Sequence, residues 1–243
     1  MHKSDKRYGD LLQFAIKHYD NALLHAWLES QAEVLKSAYK KDVWVLPMPV
    51  FEKKPEKISL KKKEDFVLIF YASDKVQFAT LKKTVNMLDD LNIVIIAYRP
   101  EGIHRKVKKN ISKENVKVFP KLEREEYLMI LRKARVCFHL VDKAGDTFAV
   151  RIFEAGAYMP VVSTGEESTF KWTCLAENVD EAVELIKKLF EDDDLWEKCY
   201  EKCYSYASKF TLKIFLEKWR EFFSNYDVSE ACLKEEGLQK WFG

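Results

Sequence analysis

The spacing of apolar residues divides the chain into an N-terminal helical stretch, an alternation of strands and helices, and a C-terminal helical stretch. Residues 10–40 carry apolar side chains at helical spacing, and the apolar run VWVLPMPV at 43–50 is typical of a short strand closed by prolines. Further runs predict strands at 66–71, 93–98, 116–119, 135–141 and 160–163, with helices at 75–90, 101–109, 123–133 and 148–158 between them. This alternation predicts an α/β fold with a parallel sheet and helices on both of its faces.

Beyond residue 173 the apolar spacing becomes helical and predicts helices at 179–190, 194–208, 212–225 and 229–241. A Lys-rich stretch at 52–65 (EKKPEKISLKKKED) precedes the alternating region and is the best candidate for a linker. We therefore expect four parts: a helical segment with one short strand (1–51), the linker (52–65), the sheet domain with its C-terminal helices (66–226) and a helical tail (227–243).

Composition narrows the class of protein. Of 243 residues, 47% are hydrophobic and 33% are charged, which predicts a soluble globular chain. The 41 basic and 39 acidic residues nearly cancel, so a nucleic-acid partner is not expected. Seven glycines are few and argue against a Gly-rich phosphate loop. Lys and Glu are abundant while Gln is scarce, a composition that leans toward a thermophilic source.

Cysteine and histidine patterns give no indication of a metal centre. The five cysteines contain no CxxC pair, and Cys199 and Cys203 lie one helical turn apart among aromatic residues, which favours packed thiols in a reducing cytoplasm. No HxH, HExxH, DxD or clustered His/Cys pattern suggests a metal, so neither a metal nor another cofactor is expected. No apolar run approaches the roughly 18 residues of a membrane span, and the N-terminus MHKSDKRYGD is not a signal peptide. A cytoplasmic location is the prediction, with weak peripheral membrane contact through the Lys-rich linker as an added option.

The stretch DTFAVRIFEAGAYMPVV at 146–162 is the richest in candidate chemistry. Asp146 and Glu154 stand eight positions apart, so on one helix they would share a face. Asp146 would lie at the start of that helix, where free backbone N–H groups attract anions. The N–H groups of Thr147, Phe148 and Ala149 could meet a phosphate there. Carboxylates for hydroxyls beside amides for phosphate suit a nucleotide-sugar.

This stretch resembles the E-x-F-G-x-x-x-x-E-A-x-A-x-G-x-P-V-V signature of retaining GT-B glycosyltransferases of the glycogen-synthase-like group. Asp146 falls on the first Glu, Phe148 on the Phe, Ala149 on the Gly and Glu154 on the second Glu. The stretch departs from the signature at three points. Asp146 replaces Glu, Ala149 replaces Gly, and the segment before Pro160 is one residue short. The resemblance extends over 66–226 and implies the Rossmann-like, donor-binding C-terminal domain of that family, with most of the N-terminal domain absent.

The resemblance also implies roles for individual residues. Asp146 would hold donor-sugar hydroxyls as the catalytic carboxylate, and Glu154 would accept hydrogen bonds from the ribose. Lys75, with Ser73 as a weaker candidate, would meet the diphosphate, although the family's Arg is missing from this loop. Simpler alternatives remain open: Glu154 paired with a neighbour such as Arg151, Asp146 as a plain helix cap, and Lys75 as solvated surface.

His139 ends an apolar strand before this stretch and could reach the site, although a packed strand-end histidine is the simpler interpretation. The resemblance implies a metal-independent hexosyltransferase that uses a nucleotide-diphosphate sugar and retains configuration at the transferred sugar. The alternative is a non-catalytic nucleotide-sugar or protein-binding module of the same fold.

Partners follow from an apolar face with Tyr19, Leu23, Trp27 and Val34 among its members. The C-terminal helices 194–225 could cover part of this face, and the remainder predicts a homodimer or a separate acceptor-domain subunit.

Overall fold

The structure, a computed structural model, describes residues 24–26, 28–72, 76–141, 150–165 and 170–225. These residues form two compact units. The first comprises the described parts of Met1–Pro49 and Lys213–Gly243, and the second is Val50–Leu212.

The first unit contains a strand–helix–strand motif of β1 (Leu24–Ala26), α1 (Glu29–Tyr39) and β2 (Val43–Val45), and its two strands pair in parallel. A small core of Leu24, Ala26, Ala32 and Val43 lies between them. The predicted helix over 10–40 is confirmed at 29–39 and wrong at 24–26. Those three residues pair with β2 and bury alternate side chains, and so short an alternation is hidden within a longer helical spacing. Tyr19, Leu23 and Trp27 lie outside the described residues.

The second unit is built on a six-stranded parallel sheet with the order β5-β4-β3-β6-β7-β8. The strands are β3 (Glu64–Ala72), β4 (Asn92–Arg99), β5 (Val116–Phe119), β6 (Ala134–His139), β7 (Val161–Ser163) and β8 (Cys174–Leu175). Counted from β3, this is the 3-2-1-4-5-6 order of the doubly wound Rossmann-like fold. The predicted fold class is therefore confirmed, and the two-residue strand β8 is an addition to it.

The helices follow the predicted alternation with shifts of a few residues at their ends. They are α2 (Phe78–Met87), α3 (Ile103–Asn110), α4 (Arg124–Lys133), α5 (Val150–Gly156), α6 (Val179–Glu191), α7 (Asp193–Ala207) and α8 (Leu212–Ser224), with a 3₁₀ turn at Leu60–Lys62. Side-chain caps begin two of them: Asn178 accepts from the N–H of Glu181 for α6, and Asp192 from that of Leu195 for α7. The helix predicted at 229–241 lies outside the described residues.

The core of the second unit lies along the central strands. Fully buried residues there come from β3, β4 and β6, including Val67, Leu68, Ile69, Ile95, Val136, Cys137 and Phe138. Strands covered on both faces are apolar at consecutive positions, which explains why the sequence shows continuous apolar runs in this region.

The Lys-rich stretch predicted as a linker belongs to the second unit and is attached to α7. The hydroxyl of Tyr204 donates to the carbonyl of Pro55 at 2.8 Å, and the N–H of Ile58 donates to the hydroxyl of Tyr200 at 3.1 Å. Lys57 forms an ion pair with Glu201. These contacts hold 52–65 against a helix, so the stretch differs from the free linker that its composition suggested.

Helix α8 packs with the strands of the first unit. Trp219 lies 6.3 Å from His25 between ring centroids, and Phe222 meets Trp44 edge-on at 5.4 Å. The compact units therefore differ from the predicted boundaries, which grouped 212–225 with the sheet domain. No helix within the described ranges is long and apolar enough to cross a membrane.

Candidate functional site

The switch point of the sheet lies between β3 and β6. These strands are neighbours, and the chain proceeds from β3 to β4 on one side and from β6 to β7 on the other. In open α/β sheets, ligands bind beyond the carboxyl ends of the strands at such a point. Residues 73–75 follow β3 directly in sequence, and 142–149 follow β6 after two residues.

Six of the predicted site residues fall on these two segments and lie outside the described residues. They are Ser73, Lys75, Asp146, Thr147, Phe148 and Ala149. The structure thus locates the strands that carry them, and their predicted roles stay predictions. Glu154 and His139 are described.

Glu154 lies in α5, is only 4% exposed, and is held by two residues of α4. Arg124 forms an ion pair with its Oε1, and the hydroxyl of Tyr127 donates to its Oε2 at 2.8 Å. Arg124 and Tyr127 are three positions apart, so one face of α4 supplies both donors. The partner of Glu154 is therefore Arg124 and not the Arg151 that sequence spacing suggested.

The environment of Tyr127 shows how firmly this carboxylate is held. Burial, followed by the charge of Glu154 and the hydrogen bond to it, raises the pKa of Tyr127 well above its ordinary value of 10.0, while the positive charge of Arg151 opposes this rise. Tyr127 thus keeps its proton and remains a donor. A carboxylate offers about four lone-pair positions. The two donors found among the described residues therefore leave lone pairs of the carboxylate for further hydrogen bonds.

His139 ends β6 and is packed inside the unit. It is 5% exposed, its Nδ1 lies 3.0 Å from Oγ of Ser163, and its ring lies 4.6 Å from that of Phe170. Oγ of Ser163 also accepts from the N–H of Gly165 at 3.0 Å. The surroundings of His139 match the packed-histidine interpretation.

Gly156 allows α5 to lie close to a buried indole. A Cβ at this position would lie 2.7 Å from Cζ3 of Trp172, and Trp172 stacks on Phe153 at 4.8 Å. A larger residue would push α5, which carries Glu154, away from its packing partners. Gly156 therefore allows the close packing that positions α5 and Glu154.

Arg151 and Tyr98 form a contact that sequence analysis missed. The guanidinium of Arg151 lies 3.6 Å from the centroid of the Tyr98 ring. Tyr71 pairs with Ala97 and Ala72 pairs with Arg99, so Tyr98 is an extra residue in β4 at a bulge. Bulges redirect side chains and are frequent beside functional sites. Nothing in the local sequence indicates this pair, because it depends on the strand order.

A pocket of about 550 Å³ lies elsewhere, at the amino ends of the strands. Its walls include Glu64, Asp65, Asn92 and Ile93 from the beginnings of β3 and β4, and Lys133 at the end of α4. It lies at the end of the sheet opposite to the switch point. We therefore do not assign the donor site to it.

In the part of the chain that the structure describes, no group of three or more His, Cys, Asp or Glu residues is placed to hold a metal ion. Cys137, Cys174, Cys199 and Cys203 are free thiols. Cys174 of β8 shares hydrogen bonds with the two cysteines of α7. The bond with Cys199 lowers the pKa of the Cys174 thiol, but the bond with Cys203 and burial raise it, and the net result is a pKa above the ordinary value.

Comparison with known proteins supports the fold assignment. No protein-family model matches the sequence, and no curated protein matches it. Solved structures do match. They include the GtfA/B complex, with a TM-score of 0.68 and 12% identity over 87% of this chain and 47% of that chain. A mutant of S. aureus TarM in complex with fondaparinux, alpha-GlcNAc-glycerol and UDP has a TM-score of 0.65 and 16% identity over 87% and 46%. AviGT4, a glycosyltransferase involved in avilamycin A biosynthesis, has a TM-score of 0.52 and 14% identity over 83% and 63%.

These structures are GT-B glycosyltransferases, and this chain shares their fold. The Rossmann-like sheet with its flanking helices corresponds to a GT-B domain. The chain spans about half the length of the first two structures.

Proposed function

We propose that this chain binds a nucleotide-diphosphate sugar and serves as the donor-binding part of a GT-B-like glycosyltransferase. One observation carries the proposal: the switch point lies between β3 and β6, the strands that precede 73–75 and 142–149. Sequence alone assigned diphosphate and sugar binding to those two segments. Both segments follow strands that are neighbours at the switch point, where open α/β sheets bind ligands, and this supports the proposal.

In this proposal, Glu154 accepts hydrogen bonds from the ribose and Asp146 holds hydroxyls of the sugar. The N–H groups of Thr147, Phe148 and Ala149, together with Lys75 and Ser73, meet the diphosphate. The bond from the anomeric carbon to the diphosphate oxygen breaks, and a new bond to the acceptor oxygen forms with retention of configuration. The electron pair of the broken bond and its negative charge pass to the leaving diphosphate, and an oxygen of that diphosphate takes up the proton of the acceptor hydroxyl. Fixed donors around the diphosphate stabilise that charge without a metal ion.

The acceptor is supplied from outside the second unit in this proposal. A second copy of the chain or a separate acceptor-domain subunit would provide it. The dimer, the cytoplasmic location and the peripheral membrane contact all stay predictions.

The test is a calorimetric titration of the purified chain with UDP-, GDP- and ADP-sugars. Binding of one nucleotide class in the micromolar range is expected. If every one of these ligands fails to bind at millimolar concentration, the donor-binding proposal is rejected.

A second candidate is a nucleotide-sugar or protein-binding module without turnover. It is favoured by the state of Glu154, both of whose oxygens already have protein partners, as in a purely structural ion pair. Measuring nucleotide release from the sugar that binds best, with and without candidate acceptors, separates the two. Binding without release under all conditions favours the module.

A further inference from the structure

Arg151 places a positive charge near the carboxyl ends of β3 and β4. It is the second residue of α5, which follows β6, yet its guanidinium contacts Tyr98 near the end of β4. Strand β3 lies between β4 and β6 in the sheet. Adjacent strands are about 4.8 Å apart, so β4 and β6 are separated by roughly twice that distance. Tyr98 lies beside the last residues of β3, Tyr71 and Ala72, so the guanidinium of Arg151 lies near the carboxyl end of that strand.

Among the described residues, the carboxylate nearest to Arg151 in sequence pairs with other residues. Glu154, three positions along α5, is held by Arg124 and Tyr127. Among the described residues, no carboxylate lies within ion-pair distance of Arg151, and its buried Nη1 has no hydrogen-bond partner. Buried donors of native proteins are almost always paired, so an unpaired guanidinium nitrogen indicates that a partner is missing.

The contact with Tyr98 holds this cation in place. The bulge in β4 inserts Tyr98 between two regular pairs, and the aromatic ring lies against the guanidinium. Stacking on an aromatic face fixes the plane of an Arg side chain and leaves its N–H donors along the edge. A planar fork of this kind fits two oxygens of a phosphate group.

The β3 loop itself offers little positive charge. The sequence from Ala72 to Gln77 contains one lysine and no arginine. A nucleoside diphosphate bound beside Glu154 would place its phosphates next to its ribose. A cation near both Glu154 and the end of β3 is therefore suitably placed for them.

We propose that Arg151 is a diphosphate-binding residue, which supplies from α5 the cation that the β3 loop lacks. This inference rests on the proposed function, because it concerns the same ligand.

The experiment compares Arg151→Gln with the parent chain by calorimetry. The probes are UDP, GDP and ADP, and the corresponding nucleosides are titrated separately for comparison. Arg132→Gln is the matched control, because Arg132 is an exposed arginine in the last turn of α4, at the end of that helix away from Arg124. For the diphosphate that the parent binds best, Arg151→Gln should weaken affinity about ten- to hundredfold. Affinity for the nucleoside should stay within about twofold, and Arg132→Gln should match the parent.

Arg151→Lys is a second variant, which keeps the charge but not the planar fork. It should recover only part of the lost affinity for the diphosphate. It also keeps the inference testable if Arg151→Gln does not fold, with far-ultraviolet circular dichroism as the check on folding.

The outcomes separate this inference from the proposed function. If the parent binds a nucleoside diphosphate and Arg151→Gln or Arg151→Lys binds it equally well, the role of Arg151 is rejected and the proposed function stands. An equal loss of nucleoside and diphosphate affinity also rejects it, since that pattern indicates a structural role. If the parent binds none of the three diphosphates, the proposed function and this inference both fall.

Discussion

Replacing Glu154 by Gln separates the structural and ligand-binding roles of this carboxylate. Gln keeps the shape and removes the charge that Arg124 and Tyr127 now share. The ion pair to Arg124 contributes little on its own, because the side chain of Arg124 is 56% exposed. The buried hydrogen bond from Tyr127 contributes more, since bonds to a charged group are worth about 1.5–3 kcal/mol.

The expected loss of stability is therefore about 2 kcal/mol. For a chain of this size, each kcal/mol lowers the melting temperature by about 2–4 °C. Loss of one charge-assisted bond to the ribose should also weaken nucleotide binding about ten- to hundredfold.

Tyr127→Phe is the matched control, because it removes one donor but leaves Glu154 charged and paired with Arg124. It should lose stability on a similar scale and keep the affinity for nucleotide. Thermal unfolding by circular dichroism gives the first quantity, and calorimetry on the folded variants gives the second.

A ligand-binding role for Glu154 is refuted if Glu154→Gln lowers stability while its nucleotide affinity matches that of the parent. Glu154 would then be a structural residue alone. Equal losses of affinity in Glu154→Gln and Tyr127→Phe would mean that the ligand senses the packing of α5 and not the carboxylate.

Three further predictions concern stability and assembly. Burial lowers the pKa of Lys63 from 10.5 to about 7. Above pH 7 the folded chain has therefore lost the Lys63 proton while the unfolded chain still binds it. The free energy of unfolding should rise by at most about 3 kcal/mol between pH 7 and pH 9. Urea titrations should show this component missing from Lys63→Met, and parallel pH profiles for parent and variant would contradict it. Gly156→Ala should destabilise the chain by about 1–3 kcal/mol, because its Cβ would meet Trp172; an unchanged melting temperature would show that the indole moves aside. Light scattering at micromolar concentration should find a dimer that Trp27→Glu dissociates, and a monomeric parent would exclude it.

The central strands were predictable because burial on both faces leaves a local mark. β3, β4 and β6 appear in the sequence as uninterrupted apolar runs, and the helices between them as amphipathic stretches. Such alternation predicts the class of fold, a parallel sheet with helices on both faces. It does not determine the order of the strands or the position of the switch point. β1 and β8 were not found, because β1 lies within a longer stretch of helical apolar spacing and β8 has only two residues.

The candidate site shows the same division between local and distant information. Glu154 was singled out from its motif, but its partners Arg124 and Tyr127 lie on another helix about thirty positions earlier. The contact between Arg151 and Tyr98 needs both the bulge in β4 and the placement of β3 between β4 and β6. Periodicity and motifs predict whether a segment is a helix or a strand and which of its residues are candidates, because both depend on neighbouring residues in sequence. The contacts between charged residues of distant segments depend on the register and order of the strands, which only the tertiary structure shows.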